Sequence, residues 1–170
     1  MASGAMHHWK PNTTVAAVVE RDGRFLLVEE HTRAGLRLNQ PAGHLEPGES
    51  LAQAVSREAL EETAHRVEPV ALVGIYMARL SGAAPVDDAP PETTYVRYAF
   101  ACRVLDHDPG RALDTGIVRA LWLTVDELRA AARRHRSPLV QTVVDDYLAG
   151  RRFPLDLIRT DASVTGGPDA

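Results

Sequence analysis

Apolar and polar positions along this chain alternate between strand-like and helix-like patterns. Thr13 to Glu20 and Arg24 to Glu30 are rich in Val, Leu and Phe and flank Asp22-Gly23, which predicts two antiparallel strands joined by a two-residue hairpin turn. Val67 to Arg79 and Thr93 to Leu105 read as longer strands. Between them, Ser81 to Pro91 is too rich in proline for regular structure. Leu121 to Leu123 reads as a short strand. Helical spacing appears in Leu51, Ala54 and Val55, an inward stripe preceded by Ser50 and Gln53 as a capping box and ending near Thr63. Val125 to Arg134 and Pro138 to Ala149 are predicted helices, the second with Ser137 as N-cap and Pro138 in its first turn. Pro41 to Glu49 holds two prolines and two glycines, which predicts a bent loop with no regular element. No internal repeat is present. An α/β fold, a mixed sheet between helices, is the economical architecture.

The helix after that loop carries an unusual charge pattern. Glu58, Glu61 and Glu62 stand at i, i+3 and i+4, so their side chains converge on one face. On a solvated face such a pair costs a few tenths of a kcal/mol. If the face is half buried, two carboxylates about 5 Å apart repel by roughly 3 kcal/mol at an effective dielectric near 20. A divalent cation removes that repulsion. Arg57, four residues before Glu61, also reaches back toward Glu49 across the loop, as an ion pair that pins loop to helix or as a plain surface salt bridge.

The spacing Gly43, five residues, Glu49, seven residues, Arg57-Glu58, two residues, Glu61-Glu62 resembles the signature of the Nudix hydrolases, which cleave nucleoside diphosphates linked to another group. Ala59 and Ala64 take the aliphatic places of that signature, and its late glycine is read as Thr63, at the end of the helix. The resemblance implies a Nudix-type α/β/α sandwich, with metal contacts from Glu58, Glu61 and Glu62 and a further ligand from the Gly43 carbonyl. Mg²⁺ is the expected ion and Mn²⁺ a possible substitute, because hard cations take oxygen ligands. Water attacking a diphosphate needs cations on the phosphate oxygens and a base to take its proton. Glu58 is the first candidate for the base and Glu61 the second, with Arg57 and Glu49 holding the set in place. In this family a further acidic ligand often comes from the loop before the strand that here bears Trp122. Asp114 is the nearest carboxylate there, and Gly116 occupies the aligned position.

Asn39 to Glu46, Arg136 to Val140 and Phe153-Pro154-Leu155 look like the small bacterial members of the family that remove terminal phosphate from thiamine-pathway pyrophosphates and nucleoside tri- or diphosphates. That similarity runs from about Val15 to Ile158. Candidate substrate contacts are Arg97 and Tyr95, two residues apart on one strand face. Glu30, with Glu29 at a strand end, and His44 beside the box glycine are further candidates. His44 either donates to a phosphate or orders the loop. Arg33 and Arg37 are placed in a loop. A nucleoside-diphosphate-sugar or coenzyme pyrophosphatase, or a non-catalytic metabolite-binding regulator, is the alternative reading.

With 170 residues, 45% hydrophobic and 25% charged, one domain over residues 12–158 is expected. An N-terminal extension at 1–11, whose first five residues are native or an expression remnant, and a disordered tail at 159–170 flank it. A net charge of -4 without a dense basic stripe disfavours nucleic-acid polymers and membrane surfaces as partners. The expected partner is a small phosphoanhydride, the assembly a monomer or homodimer, and the location cytoplasmic. Cys102 is single and reads as a buried small hydrophobe.

Overall fold

The computed structural model describes residues 9–80 and 93–166. The loop expected from Ser81 to Pro91, the first eight residues and the last four lie outside the described residues. Strands β1 (Asn12–Arg21), β2 (Arg24–Thr32), β3 (Gly35–Asn39), β4 (Ala42–His44), β5 (His65–Leu80), β6 (Thr93–His107) and β7 (Ile117–Thr124) form one mixed sheet. Its order is β3-β2-β1-β6-β5, with β4 paired to β1 and β7 to β2. Helix α1 (Leu51–Thr63) follows β4, and α2 (Val125–Ala130) and α3 (Leu139–Leu148) follow β7.

Alternation along each strand divides two cores. Val15, Ala17 and Val19 of β1 pack with Phe100 of β6 and with Ala54, Val55 and Ala59 of α1. The intervening Ala16 and Val18 pack with Phe25 and Leu27 of β2, Leu128 of α2, and Val143 and Val144 of α3. Both faces are covered, so β1 and β2 read as continuous apolar runs. The architecture is the α/β/α sandwich with a mixed sheet. The hairpin forms at Asp22-Gly23, where both residues take positive φ, 54° and 74°, and Arg21 pairs with Arg24. That is the backbone a two-residue turn of matching twist requires.

Several expectations need correction. Pro41 to Glu49 contains a regular element, because β4 pairs antiparallel with β1 from Thr14–His44 to Ala16–Ala42. Three residues suffice for that pairing when a long neighbour supplies the template. Arg37 is not in a loop but on β3, which pairs with β2 from Thr32–Gly35 to Val28–Asn39. Strand β7 extends five residues beyond Leu121 to Leu123 because Arg119 sits opposite Glu29 and pairs with it. Helix α2 stops at Ala130, and a 3-10 turn at Ala132–Arg134 follows. The tightened end is held by His135 Nε2 against the Leu128 carbonyl, 3.0 Å, and by Arg134 pairing with Glu29. At α3 no side chain caps the start, and Pro138 rather than Ser137 is the first flanking residue. Within the segment read as the tail, residues 162–166 form turns in which Val164 N donates to Asp161 O over 3.0 Å, which leaves that reading neither met nor overturned.

Helix α1 begins as its sequence requires. Ser50 accepts from Gln53 N, 3.2 Å, and the Gln53 side chain accepts from Ser50 N, 2.8 Å. It ends at Thr63 as expected, but Thr63 is still helical and the left-handed residue is Ala64, φ 58°. One residue separates Ala64 from Glu62, the interval at which the motif has its glycine, so Ala64 and not Thr63 replaces it. Ala64 is buried, and burial of its methyl group offsets part of the left-handed strain. Ser50→Ala is expected to cost about 1 kcal/mol through loss of the cap, measured as a lower urea midpoint with unchanged m-value.

Candidate active site

The loop between β4 and α1 is held to the helix by one side chain. Arg57 Nε and Nη2 donate to the two oxygens of Glu49 over 3.0 and 2.7 Å. Nη2 also donates to the His44 carbonyl, 3.0 Å, while Nη1 donates to Glu58, 2.8 Å, and Glu61, 2.9 Å. These contacts are half covered, with 23% exposure for Arg57 and 14% for Glu49, so the plain surface salt bridge does not describe them. Hydrogen bonds from Arg57 hold Glu49 below the usual carboxylate range.

Gly43 is glycine because of what lies over it. A Cβ built there would collide with the Glu58 carboxylate. Glu58 is buried, and burial raises its pKa, assisted by the charges of Glu61 and Asp114 and opposed by Arg57. Glu62 Oε2 accepts from Ala42 N, 2.8 Å. Burial pushes the Glu62 carboxyl up to about 9, with further contributions from Glu58, Glu30 and Asp114 against the pull of the Ala42 N–H.

These groups open onto a cavity of about 860 Å³. Gly43, His44, Glu58, Glu62, Glu30, Tyr95 and Arg97 all line it, together with Asp114. Glu61, Glu49 and Arg57 do not line it; they form the support behind. Strand β2 runs two residues past the expected end at Glu30, and of its two adjacent carboxylates Glu30 faces the cavity, while Glu29 is buried between Arg119 and Arg134. Burial pushes Glu29 up, but the hydrogen bonds from these two arginines outweigh it and the net shift is downward. Neither is a solvated strand end. Gly116 has φ 96°, a conformation hostile to glutamate, and the nearby Asp114 supplies the acidic group at the cavity instead. Arg33 lines the cavity, whereas Arg37 donates to the Leu36 carbonyl.

Arg97 lies deep among its neighbours yet keeps partial exposure and lines the cavity. Burial, then the charge of Arg136, lowers it to about 10, against the pull of Glu30 and Glu62. Arg136, which pairs with Glu30, was not expected at the site. Its signal was the Arg136-Ser137-Pro138 segment, which carries no charge partner nearby in sequence. Asn39 is a further polar wall residue not expected there.

Among the described residues no three acidic, histidine or cysteine side chains stand close enough to form a ready-made cation cage. The donor chemistry nevertheless fits a hard divalent cation. Glu58 and Glu62 present buried carboxylates at the cavity, Glu58 sharing Arg57 with Glu49 and Glu61 and Glu62 held by the Ala42 N–H, and the bare Gly43 backbone lets the Glu58 carboxylate lie against it.

A sandwich with a glycine loop, an acidic helix and an arginine-lined cavity defines a class. The NUDIX domain model matches residues 9–143, and the chain belongs to the Nudix hydrolase family. It is therefore a phosphoanhydride hydrolase acting on small molecules, in a family that generally uses divalent metals. The phosphatase NudJ of Escherichia coli strain K12 is 35% identical over 150 residues, spanning 88% of this chain and 92% of that protein. A Nudix hydrolase structure from Nitrosomonas europaea is 52% identical, with a TM-score of 0.82 over 89% of this chain and 98% of the other. A UDP-X diphosphatase, 18% identical with a TM-score of 0.64 over 86% of this chain and 67% of its own, shares the fold. Among the described residues no helix is long and apolar enough to cross a membrane.

The raised carboxyls have a consequence for stability. An acid whose pKa is about 9 folded and 4.5 unfolded binds more protons in the folded state between those values. Its contribution is complete below pH 4.5 and is lost as pH rises through 9. The thermal midpoint of metal-free protein is expected to fall between pH 5 and 9, and Glu62→Gln to flatten that slope. A slope unchanged by Glu62→Gln in pH-resolved melts would exclude this origin.

Proposed function

We propose that this protein is a Mg²⁺-dependent phosphohydrolase, with Mn²⁺ as a substitute, that releases terminal phosphate from nucleoside tri- or diphosphates or thiamine-pathway pyrophosphates. The observation that carries the reading is the cavity itself, in which buried carboxylates on the Gly43–Glu62 side meet guanidinium groups on the other. A site built for an uncharged ligand has no use for both. Kinship with a protein named a phosphatase across nearly its whole length supports terminal cleavage over cleavage between two esterified phosphates.

Bound divalent metal supplies charge neutralisation on the phosphate oxygens. Glu58 and Glu62, with the Gly43 carbonyl, are the groups on this chain that hold it, and Glu61 is a further ligand if it exchanges its Arg57 contact. Glu58 is the first candidate to take the proton of the attacking water, because it borders the cavity, whereas Glu61 does not. Arg57 keeps the Glu58 carboxylate over Gly43, so the base does not have to be positioned at the moment of reaction. Tyr95 and His44, whose rings lie 6.1 Å apart, form the wall on which a base or pyrimidine ring rests.

Phosphate release from nucleoside diphosphates should require Mg²⁺ and stop with a chelator. Glu58→Gln is expected to lower kcat by about 10²- to 10⁴-fold, the range for loss of a general base, with the fold retained by circular dichroism. Binding without turnover in the wild-type protein would instead indicate a sensor, and paired monophosphate products would indicate cleavage of a capped diphosphate.

A further inference from the structure

Of the arginines that line the cavity with the carboxylates, Arg97 and Arg136 are held differently. Arg136 pairs with Glu30, with side-chain exposures of only 14% and 11%, and its backbone N–H donates to the Leu38 carbonyl over 2.9 Å. Arg97 sits on β6 opposite Thr14 of β1, and Thr14 in turn opposes His44 of β4. Side chains at paired positions share a sheet face, so Arg97 and His44 look into the same space about 10 Å apart, two strand spacings. Among the described residues, Arg97 makes one hydrogen bond, a long one of 3.5 Å to Asn39 Oδ1.

A guanidinium with five donors, partly withdrawn from bulk water at the cavity wall and given one weak acceptor by the protein, has donors left over for an anion that enters. It remains a cation at neutral pH, since burial lowers it only to about 10. Arg136 adds positive charge beside it without being free to leave Glu30. The anion that such a place favours is the one with most charge and most free oxygens. An unesterified terminal phosphoryl group has a second pKa near 6 and three acceptor oxygens, as a phosphomonoester does. A phosphoryl esterified on its outer side has one negative charge and fewer free oxygens to match the planar fork.

We propose that Arg97, backed by Arg136, is a specificity determinant that grips the free terminal phosphoryl group and selects uncapped di- and triphosphates over diphosphates capped at both ends. The inference rests on the phosphohydrolase reading for its chemistry and adds which end of the substrate is recognised. Thr14 and Asn39 line the same wall and fix the depth to which the phosphoryl enters.

ADP and ADP-ribose share a nucleoside and differ in the cap. With Mg²⁺ present, Arg97→Met is expected to lower the preference for ADP over ADP-ribose, as a ratio of kcat/KM, at least about tenfold, with the change in KM rather than kcat. Arg97→Lys, which keeps the charge and loses the fork, should recover part of that preference and serves as the comparison if Arg97→Met does not fold. The ligand-free thermal midpoint of Arg97→Met should equal or exceed that of wild type, because a weakly compensated charge has been removed; a purely structural arginine would lower it. Calorimetric titration of α,β-methylene-ADP reads the same contact without turnover. If wild type hydrolyses neither nucleotide, the phosphohydrolase reading fails, yet a tenfold affinity loss for the methylene analogue in Arg97→Met still upholds the terminal-phosphoryl site. Equal losses on the two nucleotides, an unchanged preference, or no methylene-ADP binding by wild type overturns it.

Discussion

The site depends on the fork of Arg57. Its two edges point in fixed directions, one toward both oxygens of Glu49 and the His44 carbonyl, the other toward Glu58 and Glu61. A planar group with rigid donors ties a loop to a helix in a way that a lysine ammonium, which rotates freely, does not. The loop needs this restraint because β4 is only three residues long and the strand-like backbone bonds beside it reach no further than Pro41 and Leu45. With Arg57 in place, Glu58 is fixed over the one residue that has no Cβ to obstruct it. The clamp and the bare glycine are therefore one device, and neither positions the carboxylate alone.

Electrostatic organisation follows from which carboxylates are neutralised and which are not. Glu49 is satisfied by Arg57, and Glu29 by Arg119 and Arg134. Glu29 and Glu30 are adjacent, but the register of β2 against β7 shifts between them, an irregularity of the kind that re-aims side chains beside functional sites. Glu29 is thus locked into the scaffold while Glu30 faces the cavity. Glu58 shares Arg57 with Glu49 and Glu61, Glu62 is held among the described residues by the Ala42 N–H alone, and burial drives both upward. Positive charge supplied from outside the chain lowers the energy of that side of the cavity, and negative charge lowers the energy of the other side.

Legibility in the sequence followed the range of the interactions involved. The Asp22-Gly23 turn and the Ser50–Gln53 cap are local, and both were readable from neighbouring residues. The Arg57–Glu49 pair was readable because eight residues of loop and helix bring its members together. By contrast, β4 was hidden: two prolines and two glycines describe the local chain correctly, yet the pairing partner is β1, nearly thirty residues earlier. Arg136 was hidden for the same reason, since its partner Glu30 lies 106 residues away. Ala64 shows a different limit. Its left-handed φ follows from the helix ending there, and an offset of one residue in reading the motif moved that role to Thr63. Burial of Glu29 and Glu30 was also beyond a local reading, because a strand end looks solvated until the elements that cover it are known.

Chemistry and selection occupy different parts of the fold. The carboxylates and their clamp belong to one continuous segment, from Gly43 to Glu62, whose spacing is fixed by a turn and a helix. The opposing wall is assembled from β6, the end of β2 and the segment before α3, which meet only in the folded sheet. A compact motif can therefore determine the reaction class while leaving the substrate's far end undetermined. Arg97, Arg136 and Asn39 line the cavity without touching the glycine, the clamp or the helix cap, so under the proposal they are free to vary with the substrate. On the proposed reading, substrate range is a property of side chains that the motif does not contain, positioned by strand register rather than by helical spacing.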